Sequence, residues 1–403
     1  MDKRTTLPRR EFLATSATVA AASYAGSVLA QETGSGDKLA VEGGPKTVTL
    51  ENQQGPRFGE PERKQLDAML QQDTLFYWKG PQTETFVERF QEVCPSKHVM
   101  TCSSGTAALH IAVAAAGIGP GDEVITAPVT DIGTVIGVIY QQAVPVFADL
   151  GASTYNINAE TVEARITPKT KAIIAVHLAG NPCDLSPLKT LADKHGLVLI
   201  EDCAQAWGAK YRGNPVGTIG HIACWSLQNS KHITTGDGGV VASSDERFGP
   251  LLQPFGDKGF KRLEPGQFEL FSTNYRMSET QAAVGAGQLT RLEDIVASRA
   301  ALGNLITERI AGVPGITAHE VHPEDRCAYW FYMLRMDPKA FTCDRAAFVK
   351  ALAAEGVSAS AGYIPVPLQR NPVFLNHGFF NGRWPIKEMG LTDMDYTKHE
   401  TPE

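Results

Sequence analysis

The chain has 403 residues, of which 43% are hydrophobic and 20% are charged, as is typical of a globular protein with two or more subdomains. It contains 37 lysines and arginines against 44 aspartates and glutamates, so its formal net charge is −7, and no basic run predicts a nucleic-acid partner. No apolar stretch beyond residue 30 is long enough to span a bilayer, so we expect no membrane span in the mature protein.

The first thirty residues are predicted to be a targeting signal that is removed from the mature protein. Arg9-Arg10 is a twin-arginine pair, an alanine-rich apolar segment follows, and Val28-Leu29-Ala30 has the small residues of a cleavage site. A chance basic pair before an amphipathic helix is the alternative interpretation. The pattern predicts a signal peptide over residues 1–30, read by the twin-arginine export machinery, then a linker over 31–38, and a periplasmic or otherwise exported protein.

An arm over residues 39–82 and a helix over about 85–93 precede the first segment with interpretable chemistry. In that segment, Cys102–Ala108 opens a long alanine-rich run. Small residues at a helix start leave backbone N–H groups free and let a phosphate approach closely. The segment is therefore a candidate phosphate cradle, although an ordinary serine N-cap on a buried helix fits the same residues.

Between residues 99 and 244, short apolar runs alternate with helical segments, and the runs are predicted to be strands. They are Val124–Thr126, Val144–Phe147, Ala172–Val176, Val198–Ile200 and Val240–Ala242. This alternation predicts a mostly parallel sheet with helices on both faces, which is the α/β class. His177 follows the third of these strands, and we interpret it either as a structural residue that caps a turn or as a substrate contact.

Glu201 and Asp202 stand at the carboxyl end of the predicted strand at 198–200, where open α/β sheets bind their ligands. Pyridoxal phosphate needs an acid beside its ring nitrogen, because the protonated ring can accept electrons from a carbanion. A structural cap fits the same position. A metal ligand fits less well, because no second cluster of Asp, Glu or His at metal spacing lies nearby in the sequence.

Lys231 lies between the apolar run Ile222–Trp225 and the glycine-rich turn Gly236–Gly239. A partly desolvated lysine on such a loop has a lowered pKa and can form a Schiff base with a carbonyl cofactor. Most lysines are solvated surface charges, so Lys231 alone is weak evidence. A phosphate cradle, a ring acid and a lysine in this chain order are far more specific together. The neighbouring His232 is a possible substrate contact, and it either tunes the lysine or packs beside the loop.

The C-terminal part of the chain is predicted to begin with a long helix over Met277–Arg299, where apolar residues recur at helical spacing. Helix and strand then alternate to about residue 374, with a strand predicted over Tyr329–Met336. We assign the arm and a large cofactor-binding domain to residues 39–290. A smaller α+β domain is assigned to residues 291–403.

Eight stretches of the chain match one family and follow the family's order. They are Ser104–Leu109, Gly119–Ile125, Pro145–Asp149, Thr167–Ile173, Glu201–Gly208, Ser226–Lys231, Gly236–Gly239 and Asn274–Glu279. Over residues 39–374 the chain resembles the DegT-type aminotransferases, the fold-type I pyridoxal-phosphate family that aminates keto-sugars and keto-cyclitols. Within that family, residues 39–44 and 202–206 are most similar to the branch with aminohydroxybenzoate synthase and scyllo-inosose aminotransferases.

The resemblance implies a role for each matching residue. Lys231 matches the Schiff-base lysine, which also shuttles a proton between cofactor and substrate. Asp202 matches the acid paired to the pyridinium nitrogen, and Gln205 matches the residue that contacts the ring hydroxyl. Asn274 matches a residue that reaches the phosphate of the neighbouring subunit's cofactor, which implies a homodimer with a shared active site. Three further positions match phosphate ligands: Gly105, Thr106 and Ser226.

The chain departs from the family's pattern at two places. Where the family carries an aromatic ring stacked on the cofactor, Pro128–Gly133 has Asp131 at or beside the stacking position and one residue fewer in the loop. Loss of a ring contact weakens binding by roughly 0.5–1.5 kcal/mol, whereas a carboxylate at this position can contact the substrate amine. The family also continues beyond the segment at 365–374 with a further strand and a closing helix, so the predicted domain at 291–403 looks truncated.

The predicted function is pyridoxal-phosphate-dependent transfer of an amino group from glutamate or glutamine to a keto-sugar or keto-cyclitol. Two alternatives stay open. An exported relative that binds the cofactor but has little or no activity is favoured by the altered loop and by export itself. A pyridoxal-phosphate-dependent sugar dehydratase is the other, although relatives of that kind replace the lysine and this chain retains Lys231. Because nucleotide sugars are cytoplasmic, an exported enzyme is expected to act on a free sugar, a cyclitol or a cell-envelope component.

Overall fold

The computed structural model describes residues 38–50, 55–264, 266, 268 and 270–402, so the predicted signal peptide and residues 31–37 of the linker lie outside the described residues. The strands within these ranges are short and mostly apolar. They are β1 (His98–Cys102), β2 (Glu123–Thr126), β3 (Val144–Phe147), β4 (Thr170–Val176), β5 (Val198–Asp202), β6 (Lys210–Tyr211), β7 (Asn214–Pro215), β8 (Ile222–Ser226), β9 (Gly239–Ser243), β10 (Ile316–Ala318) and β11 (Leu334–Met336).

Seven of these strands form one sheet in the order β1-β9-β8-β5-β4-β2-β3. The pairs β2–β3, β2–β4, β4–β5 and β5–β8 are parallel, whereas β9 is antiparallel to both of its neighbours. Every residue of β3, β8 and β9 is buried, as expected for a sheet covered on both faces. The mostly parallel α/β sheet predicted from the alternating apolar runs is confirmed.

The helices are named in chain order over the described residues. They are α1 (Glu60–Met69), α2 (Pro81–Val93), α3 (Gly105–Ala115), α4 (Gly133–Tyr140), α5 (Ala159–Glu163), α6 (Leu185–His195), α7 (Gly249–Gly256), α8 (Glu279–Leu289), α9 (Leu292–Ile310), α10 (Arg345–Ala354), α11 (Pro372–Leu375), α12 (Phe379–Gly382) and α13 (Pro385–Glu388). Among the described helices, none has both the length and the apolar character needed to cross a bilayer.

Two predicted elements differ from the structure. The long helix predicted over Met277–Arg299 is two helices, α8 and α9, because the chain makes a turn at Thr290 and Arg291. The strand predicted over Tyr329–Met336 is limited to β11. Its first part cannot pair as a strand because its backbone is used elsewhere: the Trp330 N–H donates to the Ala179 carbonyl, 2.8 Å away.

The described residues divide into two compact units whose limits differ from the predicted boundary at residue 290. The larger unit comprises Phe58–Arg299, Val321–Phe331 and the described residues from Val366 onward; the smaller comprises the described residues up to Arg57, Ala300–Glu320 and Tyr332–Pro365. In the larger unit, aromatic side chains attach the C-terminal segment to β3: the Tyr396 hydroxyl donates to the Pro145 carbonyl at 2.8 Å, and Phe374 packs edge-on against Phe147. Burial of these rings explains why this segment joins the larger unit.

Candidate active site

Asp202 ends strand β5 at the carboxyl edge of the sheet and is 4% exposed. One carboxylate oxygen accepts the Ala204 N–H at 3.1 Å, and the other accepts the Thr134 hydroxyl at 2.9 Å. Burial raises the pKa of Asp202, because it penalises the charged form. These two hydrogen bonds and the charge of Lys231 act in the opposite direction. The carboxyl group is therefore held in one orientation by neighbours that favour its ionised form.

Lys231 follows β8 on a loop closed by backbone hydrogen bonds. The Leu227 N–H donates to Gly238 at 2.8 Å, and the Thr235 N–H donates to Leu227 at 3.0 Å. The lysine is 9% exposed, and burial lowers its pKa, whereas the charges of Asp202 and Asp131 oppose that lowering. A lower pKa leaves more of the amine neutral near pH 7, which is the form that attacks a carbonyl.

The first turn of α3 lies directly against the ends of β8 and β9. A Cβ atom added to Gly105 would lie 2.7 Å from the Ser226 Cβ, and one added to Gly239 would lie 2.3 Å from the Ser104 carbonyl oxygen, so both positions require glycine. The Ser104 hydroxyl accepts the Ala107 N–H at 3.0 Å, so the serine is an ordinary N-cap as well. The start of this helix, together with Thr106, forms a cradle suited to an anion.

Gln205 and His177 hold the turn that follows β4. The Gln205 side-chain carbonyl accepts the Ala179 N–H at 2.8 Å. His177 is fully buried; its Nδ1 accepts the Cys183 N–H at 3.0 Å, and its Nε2 lies 3.1 Å from a Glu201 carboxylate oxygen. Both ring nitrogens thus have protein partners, which fits the structural interpretation of His177 as a turn residue and leaves neither nitrogen to a substrate.

Glu201 explains why His177 is fixed so firmly. Its carboxylate also accepts the N–H groups of Gly217, Ile219 and Gly220 at 2.6, 3.0 and 2.5 Å. Glu201, His177 and Cys203 have donor atoms within 4.8 Å of one another, a spacing that suits a metal ion. Because the carboxylate and the imidazole already bind protein groups, we interpret these three residues as a buried structural cluster.

His232 and Asp131, predicted as possible substrate contacts, occupy different surroundings. His232 is buried, and its Nε2 lies 2.9 Å from the Ala328 carbonyl, so it packs beside the loop. Asp131 is exposed, and one of its carboxylate oxygens accepts the Gly133 N–H at 2.8 Å where α4 begins. Its charge still acts on Lys231. Asp131 is therefore the one of the two that combines solvent access with proximity to the lysine.

Asn274 lies on the exposed surface of the larger unit, and its side-chain oxygen accepts the Arg276 N–H at 3.3 Å. The adjacent Tyr275 carbonyl accepts the Ser103 N–H at 2.7 Å, which anchors this segment beside the start of α3. Exposed apolar side chains precede it along the chain: Leu263, Phe268 and Phe271.

Two residues near the site were not predicted from the sequence. The Thr134 hydroxyl donates to Asp202, and its position in the first turn of α4, the helix that follows β2, is a signal that could have found it. The Trp330 ring lies over Lys231, with the amine nitrogen 3.8 Å from the ring centroid. The two residues are 99 positions apart along the chain, so neither periodicity nor motif spacing could have paired them.

Comparison with known proteins places this geometry in a family. Residues 56–386 match the model of the DegT/DnrJ/EryC1/StrS aminotransferase family. The chain belongs to this family. It is 36% identical to a GDP-perosamine synthase of Caulobacter vibrioides over 282 residues, which is 70% of this chain and 76% of that protein. It is 32% identical to the spore coat polysaccharide biosynthesis protein SpsC of Bacillus subtilis, with 85% and 89% of the two chains covered.

Among solved structures, 3-amino-5-hydroxybenzoic acid synthase superposes with a TM-score of 0.75 at 28% identity, covering 85% of this chain and 86% of that one. The predictions of family membership, of the fold-type I α/β architecture and of an aminotransferase are therefore confirmed.

Proposed function

We propose that this aminotransferase uses pyridoxal phosphate to move an amino group from glutamate or glutamine to a keto-sugar or keto-cyclitol. The proposal depends on one observation. At the carboxyl edge of the sheet, the buried carboxylate of Asp202 and the buried amine of Lys231 interact electrostatically. Similarity to a perosamine synthase and to a polysaccharide biosynthesis protein supports a sugar as the acceptor.

The residues present fit this cofactor. Gly105 lets the start of α3 pack closely against Ser226, so the N-terminal backbone of this helix, Thr106 and Ser226 lie together and could bind a phosphate. The cofactor would supply an aldehyde for a lysine amine and a protonated ring that takes up electron density. Asp202 would keep the proton on the ring nitrogen, and Gln205 would contact the ring hydroxyl. Asp131, next to the lysine, would contact the amino group of donor or product.

Lys231 has two tasks in this proposal. Its Nζ atom would hold the cofactor in the resting enzyme, and it would then carry a proton to and from the substrate carbon whose amino group is exchanged. Both tasks require a neutral amine, which can attack a carbonyl or take up a proton. Burial favours this form because it lowers the pKa of Lys231. Across a full cycle the donor loses its amino group and becomes a 2-oxo acid, while the acceptor ketone becomes an amine.

The test is the visible absorbance of the purified protein loaded with pyridoxal phosphate. Addition of glutamate or glutamine should abolish the long-wavelength band and release one equivalent of the matching 2-oxo acid. A keto-sugar or keto-cyclitol should then restore the band and appear as the amine. A band that neither donor changes would favour a non-catalytic cofactor-binding relative, and a dehydrated sugar without nitrogen would favour the dehydratase. A protein that binds no pyridoxal phosphate would overturn the proposal.

We also propose that two subunits share each active site, with Asn274 of one subunit reaching the cofactor phosphate of the other. Asn274 is exposed, and so are the apolar side chains Leu263, Phe268 and Phe271 that precede it along the chain, which supports this arrangement. Replacing Asn274 by aspartate would place like charges together, at a cost of roughly 1–4 kcal/mol at about 4 Å for effective dielectrics of about 80 to 20. Asn274→Asp should therefore release the cofactor.

Subunit mixing tests the shared site. Lys231→Ala and Asn274→Asp are each expected to be inactive, but a mixed dimer has one site with neither change, so mixing should restore part of the activity. Mixing either variant with itself is the control. Two results would contradict the proposal. One is a failure to recover activity in a mixture whose subunits are shown to have exchanged. The other is a monomer that carries the cofactor on a sizing column.

The third proposal is export through the twin-arginine pathway, supported by Arg9-Arg10 and the cleavage site at Val28-Leu29-Ala30. This route carries folded proteins, which suits an enzyme loaded with its cofactor before export. Cell fractionation of the full chain, with Arg9→Lys/Arg10→Lys as the control, is the measurement. Equal retention of both proteins in the cytoplasm would contradict it.

A further inference from the structure

The side chain of Trp330 is held in place by its surroundings. Its ring N–H donates to the Ser230 carbonyl at 2.7 Å, its backbone N–H donates to Ala179 at 2.8 Å, and its own carbonyl lies 3.2 Å from an Arg299 guanidinium nitrogen. Two of these bonds fix the backbone and one fixes the ring. Because Ser230 directly precedes Lys231, the ring is tied to the loop that carries the lysine.

The face of this ring meets the lysine amine. The Lys231 Nζ atom lies 3.8 Å from the ring centroid, well inside the roughly 6 Å over which an aromatic face attracts a cation. The attraction acts on the ammonium form and not on the neutral amine. Among the other titratable groups around the lysine, Asp202 and Asp131 also favour the ammonium form, whereas the neighbouring His232 turns its Nε2 toward the Ala328 carbonyl.

We propose that Trp330 is a positioning residue whose indole face binds the Lys231 ammonium whenever the amine is not attached to the cofactor. The proposal rests on the proposed function, because amino transfer requires the lysine to leave the cofactor, carry a proton and return in every cycle. A released lysine has four rotatable bonds and would otherwise sample many orientations. With its centroid 3.8 Å from the Lys231 Nζ atom, the fixed Trp330 ring keeps the lysine amine at the site while the amine is protonated.

A shape-preserving change tests this contact in the cofactor-free protein. Fluorine atoms on indole weaken the negative charge of the ring face with little change in size, so a series of increasingly fluorinated tryptophans should weaken ammonium binding stepwise. The pKa of Lys231 is then measured by competitive acylation across a range of pH, with its peptide quantified by mass spectrometry. We expect the pKa to fall by about 0.4–1.5 across the series.

The matched control is Trp330→Phe produced with the same series of fluorinated tryptophans. In this variant fluorine enters only at the four other tryptophans, Trp78, Trp207, Trp225 and Trp384. Its Lys231 pKa should not follow the fluorine content. A Lys231 pKa that stays constant across the series, or a trend of equal slope in Trp330→Phe, would overturn the proposal. Because no cofactor is present, this result decides the contact even if the protein proves not to bind pyridoxal phosphate.

A second readout concerns turnover. In the loaded enzyme, Trp330→Phe should lower kcat several-fold with little change in KM for the amino donor, because the ring acts on the lysine and not on the donor. Thermal melting of the variant identifies any loss of fold. An unchanged kcat in a folded variant whose Lys231 pKa has shifted would show that the contact is not used in the cycle, and would also overturn the proposal.

Discussion

Lys231→Ala is expected to lower amino transfer by about 10²–10⁴-fold or more, because the proposed function assigns to Lys231 both the attachment of the cofactor and the transfer of the proton. The fold should remain intact, since the loop is closed by the backbone bonds of Leu227 with Gly238 and Thr235. Weak cofactor binding should persist through the cradle at Gly105. Stopped-flow absorbance with glutamate measures the rate of the first half-reaction directly.

Lys231→Arg is the matched control for that experiment. It keeps a cation at the buried position but cannot supply a neutral amine near pH 7, because a guanidinium does not deprotonate there. Both variants should therefore be inactive, and small primary amines added to Lys231→Ala should restore part of the proton transfer. Substantial transamination by either variant alone would remove Lys231 from the centre of the proposed function.

Asp202→Asn is expected to lower turnover by about 10²–10³-fold with little loss of cofactor. The amide retains the shape and can still accept the Ala204 N–H, but it carries no charge to keep a proton on the ring nitrogen. The loss should therefore fall on kcat and on the half-reaction rate. Half-reaction rates equal to those of the unmodified protein would show that the acid lies elsewhere.

Thr134→Val is a milder change that perturbs the Asp202 carboxyl group without removing it. The Thr134 hydroxyl donates to Asp202 and lowers the pKa of its carboxyl, so removing the hydroxyl should raise that pKa. Under the proposed function, activity requires the ionised carboxylate of Asp202 and should be lost as the pH falls through this pKa. The acid limb of the kcat profile should therefore move to higher pH in Thr134→Val, while the plateau at higher pH changes much less. In Asp202→Asn this limb should be absent.

The parallel sheet and the two charged residues at its carboxyl edge could be predicted from the sequence, because both depend on short-range patterns. A buried parallel strand is an unbroken apolar run, and a polar residue directly after it must lie at that edge, as Asp202 does. Lys231 was identified in the same way, from the apolar run before it and the glycines after it.

What the sequence did not reveal depends on contacts between distant segments. Trp330 reaches Lys231 because residues 328 and 330 bind the turn after β4, and no local pattern encodes that pairing. The aromatic residues that attach the C-terminal segment to β3 are equally distant from it in sequence. The break between α8 and α9 was missed because the apolar residues continue at helical spacing across it.

The two neighbouring acids at the end of β5, Glu201 and Asp202, lie on opposite faces of the strand and have different partners. Successive side chains in a strand point in opposite directions. Glu201 therefore binds His177 and the loop at 217–220 on one side, while Asp202 faces Thr134 on the other. A substitution at residue 202 therefore leaves the hydrogen bonds of the Glu201 side chain in place, whereas a substitution at His177 affects both faces, because the charge of His177 also lowers the pKa of Asp202.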